Sequence, residues 1–546
     1  MLVAVLPDGR LQDLRADGRP VGAPHPAPDL PAAIAAREAA EQPRWIWAAT
    51  ADTYPALLRA GVRVARCHDL ELTEALLLGH AGRWGEPRGL AAATARLRGL
   101  PVPADRPRPE AEPPGFAQGA LFATFPTAVA VSAEDLIAVY ADQQRRLAQT
   151  GHPGRFRMLA AAESAGSLIA AEMGHTGLPW RADVHDRLLR ELLGPPQPVG
   201  PPRRLAELTA AINEAFGTHG LHPDSPAEVV RAFARAGIQI PNTRRWVLRR
   251  VDHPAVAPLL EFKELYRIWT AHGWSWLDSW VHDGRFHPEY VAGGVVSGRW
   301  GARGGSALQI PKVVRRAVLA DPGWRFVVAD AGQLEPRVMA AVSGDRGLAR
   351  AAAGGDLYAE LARDSFDGDR AKAKIALIGA MYGQTGGDAI PALAVLRRHY
   401  PTAFEYVEQA ARVGENGGLV RSWLGRTCPP AAGPGRDAGL DPPDEVAPPP
   451  GRARGRFTRN FVIQATAAEW ALVLLATLRT ALAGTPAELV LFVHDEVVVH
   501  CPADQAEQVA ETIRECAARA GRMLFGASEV RFPLDVSVVG CYAEAK

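Results

Sequence analysis

The sequence predicts a multidomain protein of mixed α/β and α+β class, and three observations support that. Its 546 residues allow three or four domains at roughly 150 residues each. At 47% hydrophobic and 22% charged, the chain can bury large cores and does not have the composition of a disordered protein. The apolar pattern also changes along it, from short strands alternating with helices, to a long helical stretch, to strand-rich runs near the C-terminus.

Within residues 1–100, the runs MLVAVL and RWIWAA alternate with Ala/Leu-rich stretches such as LELTEALLLG, as in a small α/β unit. The Pro-rich segment PVPADRPRPEAEPPG (101–115) reads as an extended loop. From about 133 to 275 the pattern is helical, and SAEDLIAVYADQQRRLAQ opens with Ser132 followed three residues later by Asp135, an N-terminal cap signature. Trp269, Trp274, Trp276 and Trp280 suit core packing, with base stacking as the alternative. A strand-rich block with Gly-rich turns is expected over 285–345, then helices to about 425. The Pro/Gly-dense 427–455 reads as a loop, and a long helix is expected at about 460–483. Two β-rich runs, LVLFVHDEVVVHC and VRFPLDVSVVG, close the chain.

Lys plus Arg number 61 against 60 for Asp plus Glu, a net charge of +1. That balance excludes a uniformly basic coat or an acidic tail, and leaves room for a local basic cleft beside carboxylates. Five scattered cysteines without a CxxC pair argue against a disulfide framework or a zinc knuckle and point to a reducing cytoplasm. MLVAVLPDGR lacks the features of a signal peptide, and no stretch is expected to reach the ~20 apolar residues of a membrane span, so no membrane partner is expected. Only five of the 61 basic residues are lysine (263, 312, 372, 374 and 546), a bias in which each lysine merits inspection.

Three constellations carry chemistry. In WRFVVADAGQLEPRVMA (324–340), FVVA reads as a buried strand with Asp330 where it ends, and Gln333, Glu335 and Arg337 follow at alternate positions. A carboxylate there reaches solvent from a fixed backbone, as a metal ligand must; the plain alternative is a helix cap. In LVLFVHDEVVVHC (489–501), two apolar runs flank His494, Asp495 and Glu496, the pattern of a hairpin turning at HDE. Carboxylates at such a turn are costly unless they hold a cation. A solvated polar turn is the alternative, and zinc on His494 and His500 lacks a third ligand. In DRAKAKIALIGAMYGQTGG (369–387), Arg370, Lys374, Ile378 and Tyr382 recur every four residues on one helix face, grading from cationic through apolar to aromatic. Twelve residues at ~1.5 Å rise span ~18 Å, about an extended nucleoside triphosphate; a basic surface helix is the alternative. Together these are the parts of two-metal nucleotidyl transfer, with oxygen ligands that suit Mg²⁺.

These segments resemble the family A DNA polymerases, the DNA polymerase I family. DAGQLEPR (330–337) is similar to motif A, DYSQIELR; RAKAKIALIGAMYG (370–383) to motif B, RxxxKxxxFGxxYG; and VHDE (493–496) is motif C unchanged. SGR (297–299), LQIP (308–311), LGR (424–426) and RFTRNFVIQATAAE (456–469), which resembles RAAINAPMQGTAAD, fall in the family's order. The resemblance covers about 150 to 546. It implies a right-hand polymerase over 146–546, with a thumb at about 165–290, a palm at about 291–345 and 465–546, and fingers at about 346–464. It implies that Asp330 and Asp495 hold two Mg²⁺ ions, with Mn²⁺ able to substitute and Glu496 assisting. Arg370 and Lys374 would grip the triphosphate, Lys374 also protonating the leaving pyrophosphate. Gln333, Ile378 and Tyr382 would line the nucleotide, and Glu335, held by Tyr382, would exclude a 2′-hydroxyl. Arg299, Arg456, Asn460, Gln464 and His494 would contact the primer–template minor groove and backbone, and Arg244 and Arg245, in TRRWVLRR, the duplex phosphates. Primer–template DNA and dNTPs are the implied partners of a monomer in the bacterial cytoplasm, at the nucleoid.

There are departures from the family. The motif A Tyr-Ser pair is Ala331-Gly332 and its Leu is Pro336; Ile378 replaces the motif B aromatic; Tyr358 stands where a family His is expected. These bear on substrate affinity and sugar selectivity. Residues 1–145 resemble the family's RNase H-like 3′–5′ proofreading domain through CHDLELTEALLLG and SAEDLIAVY, with no 5′-nuclease domain expected before them. The DxE of its first strand is missing, leaving Asp52 and Asp135 as surviving carboxylates, so a degenerate domain is expected. The expected function is a template-directed DNA polymerase in repair or gap filling. The rivals are a polymerase with a live 3′–5′ exonuclease, a DNA-binding scaffold without catalysis, and a phage-type RNA polymerase, which should not keep a Glu gate.

Overall fold

The computed structural model describes residues 1–106, 131–197, 199–383, 389–430 and 450–545. Near the N-terminus β1 (Leu2–Val5), β2 (Leu11–Leu14), β3 (Arg44–Trp47) and β4 (Arg66–Asp69) form a sheet in the order β2-β1-β3-β4. β1 runs antiparallel to β2 and parallel to β3, which runs parallel to β4. β1 is apolar throughout because both its faces are covered. Val3 and Val5 pack with Ile34 of α1 (Leu30–Glu41) and Tyr54 of α2 (Thr50–Arg59). Ala4 packs on the other side with Leu70 of α3 (Leu70–His80), Ala93 of α4 (Leu90–Arg98) and Leu136 of α5 (Ala133–Ala148). The expected cap forms: Ser132 Oγ accepts from the Asp135 N–H at 3.3 Å, and Asp135 Oδ2 accepts from the Ser132 N–H at 2.8 Å. The boundary expected at 145/146 falls inside α5. Residues 107–115 of the expected Pro-rich loop lie outside the described residues.

α6 (Pro153–Thr176) is shared between two cores: Leu168 packs with the N-terminal sheet, while Phe156, Leu159, Ile169 and Met173 join the largest core. A buried polar knot reinforces the junction. Arg479 donates to Glu172 of α6 at 2.6 and 2.8 Å and to the carbonyls of Val64 and Ala65 at 2.5 and 2.7 Å, and the Tyr54 hydroxyl donates to the same Glu172.

The expected helical stretch follows as α7 (Ala182–Leu193), α8 (Arg203–Ala215), α9 (Pro226–Arg235), α10 (Arg245–Leu248), α11 (Val256–His272) and α12 (Trp274–Trp280), around Leu189, Ile212, Phe233 and Leu259. The tryptophan run is core: Trp276 is buried, and Trp269, Trp274 and Trp280 pack on it half-buried. Short strands flank these helices: β5 (Leu178–Pro179), β6 (Val281–His282) and β7 (Arg285–Phe286) form one small sheet, and β8 (Glu289–Val291) pairs with β9 (Gly301–Arg303). Gly304 (φ +58°) seals this region, since a Cβ there would lie 2.2 Å from the Trp280 ring.

The central sheet is antiparallel, in the order β11 (Glu488–Val493), β12 (Glu496–Pro502), β10 (Trp324–Ala331), β13 (Leu534–Val539). Val327, Ala329 and Ala331 face the largest core, with α13 (Leu334–Ser343), α19 (Pro450–Ala481) and α20 (Ala506–Phe525); Phe326 and Val328 face the core of α7–α12. Strand structure was expected to run to 345, but the chain turns helical at Leu334. The apolar residues after Gln333, namely Leu334, Val338, Met339 and Val342, follow helical spacing. α14 (Arg346–Ala352), α15 (Leu357–Ser365), α16 (Arg370–Tyr382), α17 (Ala389–His399) and α18 (Pro401–Glu415) complete the helices.

α19 corrects two expectations. It begins at Pro450, inside the stretch read as a loop, because proline suits a first helical turn; 431–449 lie outside the described residues. It is also long and apolar enough to cross a membrane by length and composition, where no such stretch was expected. The most apolar stretch of α19 is 94% buried inside the protein, so its apolar surface is used up as the central core helix.

Candidate active site

The site is built at one end of the central sheet. Asp330 is the penultimate residue of β10, and the register sets Glu496 of β12 and Asp535 of β13 directly opposite it. Residues opposite one another share a face, so three carboxylates form a row across three strands. The β11–β12 hairpin turns at His494 and Asp495, as its flanking apolar runs predicted, with His494 in the left-handed region (φ 59°). The Ala331 N–H donates to the Asp495 carbonyl at 3.1 Å, pinning the turn to the strand end that carries Asp330. Burial pushes the Asp495 carboxyl above the usual range, with Arg299 opposing. Glu496 is buried and accepts from the Tyr542 hydroxyl, whose ring lies beneath Arg315 at 4.5 Å; burial raises its carboxyl. Glu496 is thus engaged by the C-terminal segment.

After β10 the chain turns at Gln333, in the left-handed region at φ 60°. Its amide nitrogen donates to Asp356 Oδ1 at 2.7 Å, and its amide oxygen accepts from the Leu357 N–H at 2.9 Å. Glu335, in the first turn of α13, accepts from Arg299 at 2.6 Å and from the Tyr382 hydroxyl at 2.9 Å. The expected Glu335–Tyr382 contact is therefore present, and Arg299 shares it. Arg370, Lys374, Ile378 and Tyr382 lie along one face of α16, with Arg370 and Lys374 exposed and Ile378 half-buried. Arg370 donates to Asp356 at 2.7 Å, and its guanidinium lies 5.6 Å from the ring centroid of Tyr358.

Arg456, Asn460 and Gln464 repeat every four residues on α19, and Arg456 lies against Gly383 at the end of α16. Arg244 and Arg245 stand elsewhere, in a groove of about 900 Å³ with Trp246 and Lys263, and no described contact brings them to the sheet end. A His494–His500 zinc pair does not form, since His494 is at the turn while His500, well along β12, accepts from the Asp321 N–H at 3.2 Å and stacks on Trp324.

Sequence reading gave no role to Asp356 or Asp535, and it left Arg337 as a motif residue only. Arg337 is fully buried and donates to the carbonyls of Gly332, Ala352, Gly354, Gly355 and Arg531 at 2.5–3.3 Å. The family motif had marked its position, whereas its partners emerge only from the fold.

The sheet end carries the carboxylates of Asp330 and Asp495, oxygen donors of the kind a hard divalent cation takes. Among the described residues no group of three or more His, Cys, Asp or Glu side chains is placed to hold a metal ion, and Asp330 and Asp495 remain candidates by their place at the sheet end. In the N-terminal unit, Asp135 is a helix cap paired with Arg98 at 2.5 Å, and Asp52 is exposed in the first turn of α2.

Residues 202–541 match the family described as DNA polymerase family A. "DNA polymerase I, thermostable" of Thermus thermophilus is 29% identical over 317 residues, covering 53% of this chain and 36% of that protein. DNA polymerase I of Deinococcus radiodurans is 25% identical over 379 residues, covering 61% of this chain and 37% of its own length. The chain thus spans little more than a third of the curated relatives it matches. Its fold is similar to that of the POL domain of Pol1 from M. smegmatis, solved in complex with DNA primer-template and dNTP. That likeness has a TM-score of 0.70 at 19% identity and covers 99% of this chain and 95% of that one. With its motifs in order on a shared fold and the match spanning more than half its length, the chain belongs to DNA polymerase family A.

Proposed function

We propose that the chain is a template-directed DNA polymerase that adds dNTPs to a primer 3′-hydroxyl. The observation that carries this is the hydrogen bond holding the Asp495 turn against the strand end of Asp330, with the Gln333–Asp356–Arg370 chain linking that end to α16. In the reaction the primer 3′-hydroxyl loses its proton to water, its oxygen bonds to the α-phosphorus, and the bond from that phosphorus to the α,β-bridging oxygen breaks, releasing pyrophosphate. Asp330 and Asp495 are the residues that would hold Mg²⁺, as two ions, with Mn²⁺ able to substitute. Bound there, the ions would supply charge stabilisation and a more acidic 3′-hydroxyl. Arg370 and Lys374 face the triphosphate, Lys374 supplying a proton to pyrophosphate, and Ile378 and Tyr382 lie toward sugar and base. Arg299, Arg456, Asn460, Gln464 and His494 meet the minor groove and backbone. Arg244 and Arg245 meet duplex phosphates from the thumb (about 165–290), apart from palm (about 291–345 and 465–546) and fingers (about 346–464). The protein works as a monomer in the bacterial cytoplasm, in repair or gap filling. Primer extension on a gapped duplex with dNTPs, then with rNTPs, tests this. Full-length products with dNTPs are expected, and binding without extension would favour the scaffold.

Glu335 is the 2′-hydroxyl gate in this reading. Glu335→Ala should raise ribonucleotide relative to deoxynucleotide incorporation on the order of tenfold to a hundredfold. Unchanged discrimination would put the gate elsewhere.

The N-terminal unit acts as a degenerate proofreading domain. Its first strand, LVAV, carries no carboxylate, and Asp135 is committed to a cap and to Arg98. A 3′-labelled single strand should survive incubation with Mg²⁺ or Mn²⁺. Degradation lost on mutating Asp52 or Asp135, but retained in Asp495→Ala, would instead establish a live nuclease.

A further inference from the structure

Asp356 joins three segments of the site. As the N-cap of α15, its Oδ1 accepts from the N–H groups of Tyr358 and Ala359 at 3.0 and 3.2 Å and from the Gln333 amide at 2.7 Å. Its Oδ2 accepts from Arg370 Nε at 2.7 Å. We propose that Asp356 is a positioning residue that fixes the Arg370 guanidinium for the triphosphate and ties that grip to the strand end carrying Asp330; this rests on the polymerase reading.

The bond to Asp356 is made through Nε, so the plane of the guanidinium is set from inside. The two terminal nitrogens, at the tip of a side chain 54% exposed, are the atoms an incoming anion meets. Tyr358 limits the swing of the same group, its ring centroid 5.6 Å away. A long arginine loses rotamer freedom when it grips a ligand; holding it beforehand removes part of that cost. Asp356 is ionised, as an anchor for a guanidinium must be. Burial opposes its charge, but the bonds from Arg370 and Gln333 outweigh burial and hold the carboxyl below the usual range. On the other side, Gln333 lies three residues after Asp330, and its amide is clamped between Asp356 and the Leu357 N–H. Nucleotide held by Arg370 is therefore registered against motif A through two side chains.

Asp356→Ser separates this role from helix capping, because serine caps well but is too short to reach Arg370. Steady-state extension by the full chain on a gapped duplex, with single dNTPs, should show KM for dNTP raised on the order of tenfold. The loss should fall on KM far more than on kcat, and the melting temperature should stay near that of the parent. Asp356→Asn, which keeps the shape but not the charge, should fall between the two. In an Arg370→Ala background, Asp356→Ser should add little, since its target is gone. A parental KM in Asp356→Ser would overturn the proposal, as would an equal fold-change with and without Arg370. A parent chain that extends no primer is a separate result: it overturns the polymerase reading and this inference with it.

Discussion

Asp330→Ala or Asp495→Ala should abolish primer extension, with a loss of roughly a thousandfold or more, while duplex affinity changes little. The two carboxylates stand at adjoining strand ends held by the Ala331 N–H to Asp495 carbonyl bond. Glu496 is bonded to Tyr542, and Asp535 reaches the row from β13. In the proposed reading duplex binding rests instead on arginines spread over distant elements, so losing one carboxylate should leave it standing. For Asp495 the fold should not suffer either, because burial disfavours its charge. Asp495→Ala should melt no lower than the parent. Extension above a few per cent of the parental rate in either variant would show that the acidic pair does not carry the chemistry.

Arg337→Ala should be strongly destabilising, by about 3 kcal/mol or more. One guanidinium serves five carbonyl oxygens from three segments: the end of β10, the stretch 352–355 and Arg531 ahead of β13. Removing it leaves buried acceptors unpaired and opens a cavity, and no conservative residue restores the fork; Arg337→Lys has too few donors. By contrast Arg370→Ala, on a side chain 54% exposed, should change stability by about 0.5 kcal/mol or less. Urea denaturation of the two variants beside the parent measures the difference. Equal midpoints for Arg337→Ala and Arg370→Ala would mean that the five carbonyls find other partners.

The parts legible in the sequence were those written in local pattern. The apolar runs around His494-Asp495-Glu496 specified a hairpin, the four-residue recurrence in 370–382 specified a helix face, and Ser132 with Asp135 specified a cap. What pattern could not show depends on register or on distant partners. Asp535 joins the carboxylate row only because β13 pairs with β10 in that register. Asp356 looks like any helix cap until the fold brings Gln333 and Arg370 to it. The strand-rich reading of 285–345 held to Ala331 and ran too far beyond it, because alternating polar residues at Gln333, Glu335 and Arg337 imitate a strand while the apolar residues between and after them pack as a helix. The beginning of α19 was hidden by Pro and Gly, which suggest a loop but are compatible with a first helical turn.

The most direct measurement is single-nucleotide addition by the full chain to a primer in a one-nucleotide gap, on four templates that differ only in the templating base, with each dNTP supplied alone and Mg²⁺ present. The expected result is extension by one residue with the complementary dNTP on each template, and little with the other three. No extension on any template, or addition of the same nucleotide whatever the template, would contradict a template-directed polymerase built on Asp330 and Asp495.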